Sequence, residues 1–375
     1  MVDGTATILG GPLPALLYLR PSFGGIFDYS ESVIAILRSQ SPPRSVEVLT
    51  VVTDAGDPLL EGLRLARKIR ARPGVIYADL GINDAAMFWA IYTVCRERKV
   101  VLTIHDPGAV VTGLFRSDRL DHVPAIRRIA RKAAFRLERR AGSWLIQRTL
   151  RSCAERLVLN AAVSEVRGLP VGYLPHPVHN ASRIAHPLPE RPKIAFLGYW
   201  GLVKGIEELL EAYRALLPRF PTCRFVIAGG GVGPNDPYEQ EFRRRVAAVS
   251  SRIELPGFIA PAEMDTFLSS LTALVLPYHP ELASGASGML MRAQEAGVPL
   301  VVTDTPMLRA QVHQDHVVMV PSRDVEALAS ALAGLLADQP THNARAEGEQ
   351  LRIHREHGKV VVGDRLAAIL GRLAT

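Results

Sequence analysis

The stretch TALVLPYHPELASGASGMLMRAQEAGVPLVVTDTP, Thr272 to Pro306, decides the fold. Its apolar run Ala273 to Leu276 predicts a strand, and the small-residue loop that follows carries Ser284, Gly285, Ser287 and Gly288. A helix from about Met289 to Ala296 and a second strand, Leu300 to Thr303, complete a βαβ unit. In such a unit the loop delivers the chain to a helix N-terminus, where unpaired N–H groups and the positive dipole end favour an anion. Glycine lets a phosphate approach the backbone, and the hydroxyls of Ser284 and Ser287 add donors or cap the helix. A loop that merely turns the chain has the same composition, so a second signal is needed.

That signal lies upstream in KIAFLGYWGLVKGIEELLEAYRALL, Lys193 to Leu217. A buried strand, Ile194 to Leu197, runs into Gly198. Lys204 and Gly205 follow, just before a helix with Ile206, Leu209, Leu210, Tyr213 and Leu216 on one face. A lysine between a strand end and a helix start can meet the same anion from the other side, although a lone lysine is also common on solvated surface.

Four features together carry a resemblance: G-x5-K-G at Gly198, Lys204 and Gly205; PGFI at Pro256 to Ile259; VLP before the loop; and AGVPLVVTD at Ala296 to Asp304. As a set they resemble the nucleotide-sugar domain of GT-B glycosyltransferases of the retaining group called family 4. The likeness covers most of residues 190–340 and the first 180 loosely. It implies an α/β chain of GT-B type, with two Rossmann-like domains facing across a cleft. Residues 1–180 would bind the acceptor and 181–345 the nucleotide sugar, with a helical tail, 346–375, crossing back to the first domain. The implied reaction is retaining transfer of a hexose-type sugar from a nucleoside diphosphate to a hydroxyl of a glycan, lipid-linked or small-molecule acceptor. The departing phosphate would assist attack from its own face. Lys204 and the helix start at Ser287 to Met289 would stabilise the leaving charge with no metal and no cofactor.

The rest of the chain fits two α/β halves. At 375 residues it exceeds a single core, and 48% hydrophobic with 22% charged residues is ordinary for a globular protein. Strand and helix patterns alternate from Ala15: strands at Ala15 to Leu19, Val46 to Val52, Val75 to Asp79 and Val100 to His105, with helices at Tyr29 to Leu37, Leu59 to Arg72 and Ala85 to Arg98. A strand from about Arg156 to Val163 precedes PHP at Pro175 to Pro177, which resembles a hinge edge, and a polar linker from His179 to Pro192. Further strands are expected at Phe225 to Ala228, Ile253 to Leu255 and Val317 to Val320, then a helix Val325 to Leu336 capped by Ser322 and a helical tail from about Ala344. GGGVG at Gly229 to Gly233 does not make a dinucleotide fingerprint, because Pro234 follows and no third glycine opens a helix.

Two strand ends of the first half carry reactive residues. PSFGGIFDYSE presents Gly24, Gly25 and Asp28, with Asp28 or Ser30 as an alternative helix cap. VVLTIHDPG presents Thr103, His105 and Asp106, and a histidine there can meet a sugar hydroxyl or a developing charge. Family members carry a matching histidine beside the donor sugar. The resemblance therefore assigns His105 and Lys204 as catalytic. It assigns Gly24, Gly25, Asp28, Gly198, Tyr199, Phe258, Ile259, Glu281, Ser284, Gly285, Ser287, Gly288, Met289 and Arg292 to the donor.

Two departures stand out. The family's arginine after the first glycine is replaced by Tyr199 and Trp200, and its E-x7-E carboxylates fall on Ser284 and Arg292. Glu281 lies three residues early and is a candidate substitute for the first acid; Glu295 lies three late, on another helix face. Arg292 would prefer an acidic sugar or pair with an internal acid. A homologue that binds nucleotide or a partner without turnover is the alternative; a GT-B epimerase would need a stronger acid and base set.

The formal charge of +7 is concentrated between Arg116 and Arg156, where an apolar helical stripe faces a row of arginines. A solvated helix and a contact for anionic lipid, peripheral to the membrane's inner face, are both open; nucleic acid is excluded by the lack of interleaved aromatics and of a reading motif. Cys95, Cys153 and Cys223, with no CxxC pair, suggest reduced buried thiols and no zinc site. No signal peptide or membrane span is expected, and the expected location is cytoplasmic.

Overall fold

A computed structural model describes residues 15–22, 24–40, 44–52, 56–115, 136, 141–178, 191–231, 236–281 and 285–373. The first half opens with β1 (Leu16–Pro21), α1 (Gly25–Arg38), β2 (Val46–Val51), α2 (Pro58–Arg70), β3 (Val75–Leu80), α3 (Ala85–Val94) and β4 (Val100–Ile104). It continues through α4 (Ser143–Ser152), β5 (Glu155–Val158), a short hairpin of β6 (Glu165–Val166) and β7 (Leu169–Pro170), and β8 (Gly172–Tyr173). The sheet order is β2-β1-β3-β4-β5-β8, with every pairing parallel. Fully buried strands such as VIYADL and VVLTI, alternating with helices, form such a sheet because both of its faces must be covered.

The second half contains β9 (Lys193–Tyr199), α5 (Ile206–Leu216), β10 (Arg224–Gly230), α6 (Pro237–Val249), β11 (Ile253–Glu254), α7 (Met264–Ser269) and β12 (Ala273–Leu276). After these come α8 (Gly288–Ala296), β13 (Leu300–Thr303), α9 (Pro306–Arg309), β14 (Val318–Val320) and α10 (Val325–Ala337). Its parallel sheet runs β11-β10-β9-β12-β13-β14. This is the doubly wound order in which connections reverse direction beside the first strand, here between β9 and β12. In the first half the reversal falls between β1 and β3, a flavodoxin-like order. Crevices open at the carboxyl ends of strands at such points.

The chain closes with α11 (Gln339–His357) and α12 (Lys359–Arg372). Val362, Leu366, Ile369 and Leu370 of α12 share one buried cluster with Tyr18, Val33 and Leu37 of the first half. Gln40 Nε2 donates to the Gly363 carbonyl at 2.8 Å, so the last helix covers one face of the first sheet.

Some boundaries differ from the sequence reading. Helix α1 starts at Gly25 rather than near Tyr29, because Gly24, at φ +85°, turns the chain straight out of β1. Neither Asp28 nor Ser30 caps it: Asp28 lies in its first turn, and Ser30, in its second, turns its hydroxyl to Asp79. Asp324, not Ser322, caps α10, accepting from the Ala327 amide, while Ser322 donates to the Tyr278 carbonyl. Of the basic run, residues 116–135 and 137–140 lie outside the described residues, as do 179–190 of the expected linker. The three cysteines are buried free thiols. No described helix is long and apolar enough to cross a membrane.

Candidate functional site

Both reversal points open onto one cleft of about 950 Å³ between the halves. The first half contributes Gly24, Gly25, Asp28 and His105. The second contributes Gly198, Tyr199, Lys204, Phe258 and Ile259, together with Gly285, Ser287, Gly288, Met289 and Arg292 around the start of α8. Ser284 lies outside the described residues. Glu281 does not line the cleft; it pairs with Arg323 at 2.6 Å, and that guanidinium holds its carboxyl below the usual range. The place suggested for it, as a substitute for the acid missing at position 284, is not where its side chain goes.

On the second-half wall, local backbone geometry sets the chemistry. Gly205, at φ +66°, would place a Cβ 1.8 Å from the Pro277 carbonyl oxygen, so only glycine lets this turn seat against the end of β12. The His279 amide donates to the Val203 carbonyl at 2.9 Å and locks the same contact. Lys204 is thereby held with Nζ 4.0 Å from the Tyr278 ring centroid, and no carboxylate among the described residues reaches it. At the start of α8, Ser287 Oγ accepts from the Leu290 amide at 3.2 Å, and the Ser287 amide donates to Gln311 Oε1 at 3.0 Å. The amides of Gly288 and Met289 keep no partner among the described residues, which leaves two donors at a positive helix end.

Gly229, at φ +109°, would meet the Gly198 carbonyl at 1.9 Å, and its amide donates to the Gly257 carbonyl at 2.7 Å. The PGFI turn is thus tied to the two strand ends, with Phe258 77% exposed and Ile259 buried. Trp200 is buried, donating through Nε1 to the Ala228 carbonyl; Arg243 stacks over it at 4.9 Å and pairs with Glu239 at 2.8 Å. Arg292 reaches Asp265 of α7 at 3.9 Å. Partial burial pushes the Asp28 carboxyl up, while the charge of Arg292, which lines the same cleft from the other half, pulls it the other way.

The first-half wall is made of side chains. His105 Nε2 lies 3.3 Å from Oδ1 of Asp79, which is fully buried and also accepts from Ser30 Oγ at 2.6 Å and from the Tyr18 hydroxyl. Tyr29 packs edge-on to the imidazole, centroids 4.8 Å apart. Nearby, burial pushes the Asp84 carboxyl up to about 6 even though it accepts from the Gly81 amide. The halves touch at Gly285, where a Cβ would lie 2.5 Å from the His105 carbonyl, and its own carbonyl accepts from Asn160 Nδ2 at 3.2 Å.

Among the residues the sequence did not single out, Tyr278, Glu239 and Arg243 line the cleft and Asp79 supports His105. Tyr278 directly follows the quoted VLP and was within reach; Glu239, Arg243 and Asp79 sit inside ordinary helix and strand patterns and gave no signal. Among the described residues no cluster of three or more His, Cys, Asp or Glu could hold a metal ion.

Residues 191–338 match the family model described as "Glycosyl transferases group 1". A phosphatidyl-myo-inositol mannosyltransferase of Mycolicibacterium smegmatis is 28% identical over 233 residues, 58% of each chain. A lipopolysaccharide core biosynthesis mannosyltransferase of Rhizobium meliloti is 28% identical over 157 residues, 40% of this chain and 43% of that one. The chain thus spans about half the length of the curated relatives it matches. Among solved structures, sucrose-phosphate synthase from Thermosynechococcus elongatus superposes with TM-score 0.71 at 15% identity, covering 96% of this chain and 99% of that one. An Anabaena protein, HepE, in complex with UDP-glucose gives 0.68 at 14% identity, covering 96% and 100%. The fold is GT-B, and the resemblance to group 1 glycosyltransferases stands on the second half of the chain.

Proposed function

We propose that this chain, whose second half matches the group 1 glycosyltransferases, is a retaining transferase. It moves a hexose-type sugar from a nucleoside diphosphate to a hydroxyl acceptor. The reading is carried by one observation: the Lys204 ammonium and the unpartnered amides of Gly288 and Met289 meet in the same cleft, facing His105 from the other half. A diphosphate seated there gains charge stabilisation from a fixed cation and a helix end as the glycosyl bond breaks. The mannosyltransferase activity of both relatives named above and the UDP-glucose complex of a structural neighbour support a nucleotide-sugar donor.

His105 is positioned to meet the glycosyl unit, and Phe258 and Ile259 offer an apolar edge to the base. The first half would receive the acceptor, and no metal is required when Lys204 and α8 carry the leaving charge. Thermal-shift measurement against UDP, GDP, ADP and their sugar conjugates, with a sugar-release readout, tests the reading. A ligand at 100 times its dissociation constant should add about 2.7 kcal/mol. Stabilisation by one nucleotide series with slow sugar release supports it; binding without release favours the homologue that kept the fold and lost turnover; no binding sinks it.

A further inference from the structure

Asp79 stands one residue before the end of β3 with no solvent exposure. Burying a carboxylate costs several kcal/mol unless it is paired and hydrogen-bonded. Three donors converge on this one: the Tyr18 hydroxyl at 2.5 Å and Ser30 Oγ at 2.6 Å on Oδ2, and His105 Nε2 at 3.3 Å on Oδ1. The two hydroxyls anchor the carboxylate within the sheet, and its second oxygen is left to the imidazole. Tyr29 packs edge-on against that ring from the α1 side, a second contact on the imidazole besides the acid.

We propose that Asp79 is a positioning residue that sets the tautomer of His105. It takes the Nε2 proton as a hydrogen bond and leaves Nδ1, which has no partner among the described residues, as an acceptor for a hydroxyl of the donor's glycosyl unit. In that tautomer the ring offers a hydroxyl a lone pair at Nδ1 rather than an N–H. This inference rests on the cleft being the donor site.

Two measurements on the full chain test it separately from that reading. In nitrogen-15 histidine spectra, His105 should be the Nε2–H tautomer. Asp79→Asn, whose amide can donate to Nε2, should move it toward Nδ1–H, while Tyr18→Phe and Ser30→Ala, which keep the carboxylate, should not. In calorimetric titrations with UDP, UDP-glucose, GDP and GDP-mannose, Asp79→Asn should weaken the sugar conjugate of the bound series by about 10-fold or more and leave the bare nucleotide unchanged. An unmoved tautomer, or equal losses for nucleotide and conjugate, overturns the proposal and leaves Asp79 a buried anchor. Failure of UDP, GDP, ADP and their sugar conjugates all to bind overturns the donor site, and with it the hydroxyl contact, whatever the tautomer does.

Discussion

On the second-half wall of the cleft the chemistry is backbone and nearly local, with two amides at a helix start, glycines pressed against carbonyls and one lysine. On the first-half wall it is side chains drawn together from β1, α1, β3 and β4. An anion cradle of the first kind depends on a few adjacent φ angles and on close approach, so one added carbon destroys it. A histidine held as in the second kind depends on a buried polar network, whose removal leaves the backbone in place and changes only what the ring presents. The walls should therefore fail differently.

The largest effect is expected where backbone is crowded. Gly205→Val sets a branched side chain at positive φ against the Pro277 carbonyl, and strain with displacement of the β12 end should cost about 3 kcal/mol or more. Urea unfolding checks it, and a variant of unchanged stability would mean the turn relaxes freely. Lys204→Ala tests the cradle's charge without touching its backbone. Nucleotide binding and sugar release should fall by about 100-fold or more with the melting temperature unchanged; wild-type binding would remove the lysine from the site.

Asp84 sharpens the contrast from the side-chain wall. Burial raises its folded-state pKa to about 6, above its unfolded value, so its contribution to stability is full below the ordinary carboxylate range and lost as pH climbs through about 6. Asp84→Asn should thus be more stable than wild type by about 3 kcal/mol at about pH 8, and no different near about pH 3. Unfolding curves at both values decide it, and a pH-independent difference would contradict the burial argument. Smallest is the seam between the walls: Gly285→Ala sets a Cβ 2.5 Å from the His105 carbonyl, closer than the two atoms can stand, so the seam has to open and a loss of roughly 1 kcal/mol or more in donor affinity is expected. Calorimetry with the nucleotide that binds would show it, and no change would mean that the halves are not held at this point.

Much of the second half was readable because its signals are adjacent in the chain. The two strands and the helix within Thr272 to Pro306 form as the pattern requires, and Gly198, Lys204 and Gly205 lie where strand and helix periodicities place them. Glu281 shows the limit of spacing. Three residues from the missing acid looked near enough, yet Arg323, forty-two positions away, takes its carboxylate. On the other wall Thr103, His105 and Asp106 were visible as a polar strand end, but nothing near them pointed to Asp79, whose carboxylate sits in a run that otherwise reads as plain buried strand.

The sequence by itself determined that the chain folds as two alternating α/β halves, and that a lysine and a glycine-rich helix start lie in the second, because periodicity and backbone freedom are local properties. Only the tertiary structure decided which residues of the two halves line one cleft, Arg292 and Asp28 among them, that Glu281 leaves it, and that Asp79 stands behind His105. Those relations join residues separated by tens to hundreds of positions, and they follow from strand order and from the packing of the last helix onto the first sheet.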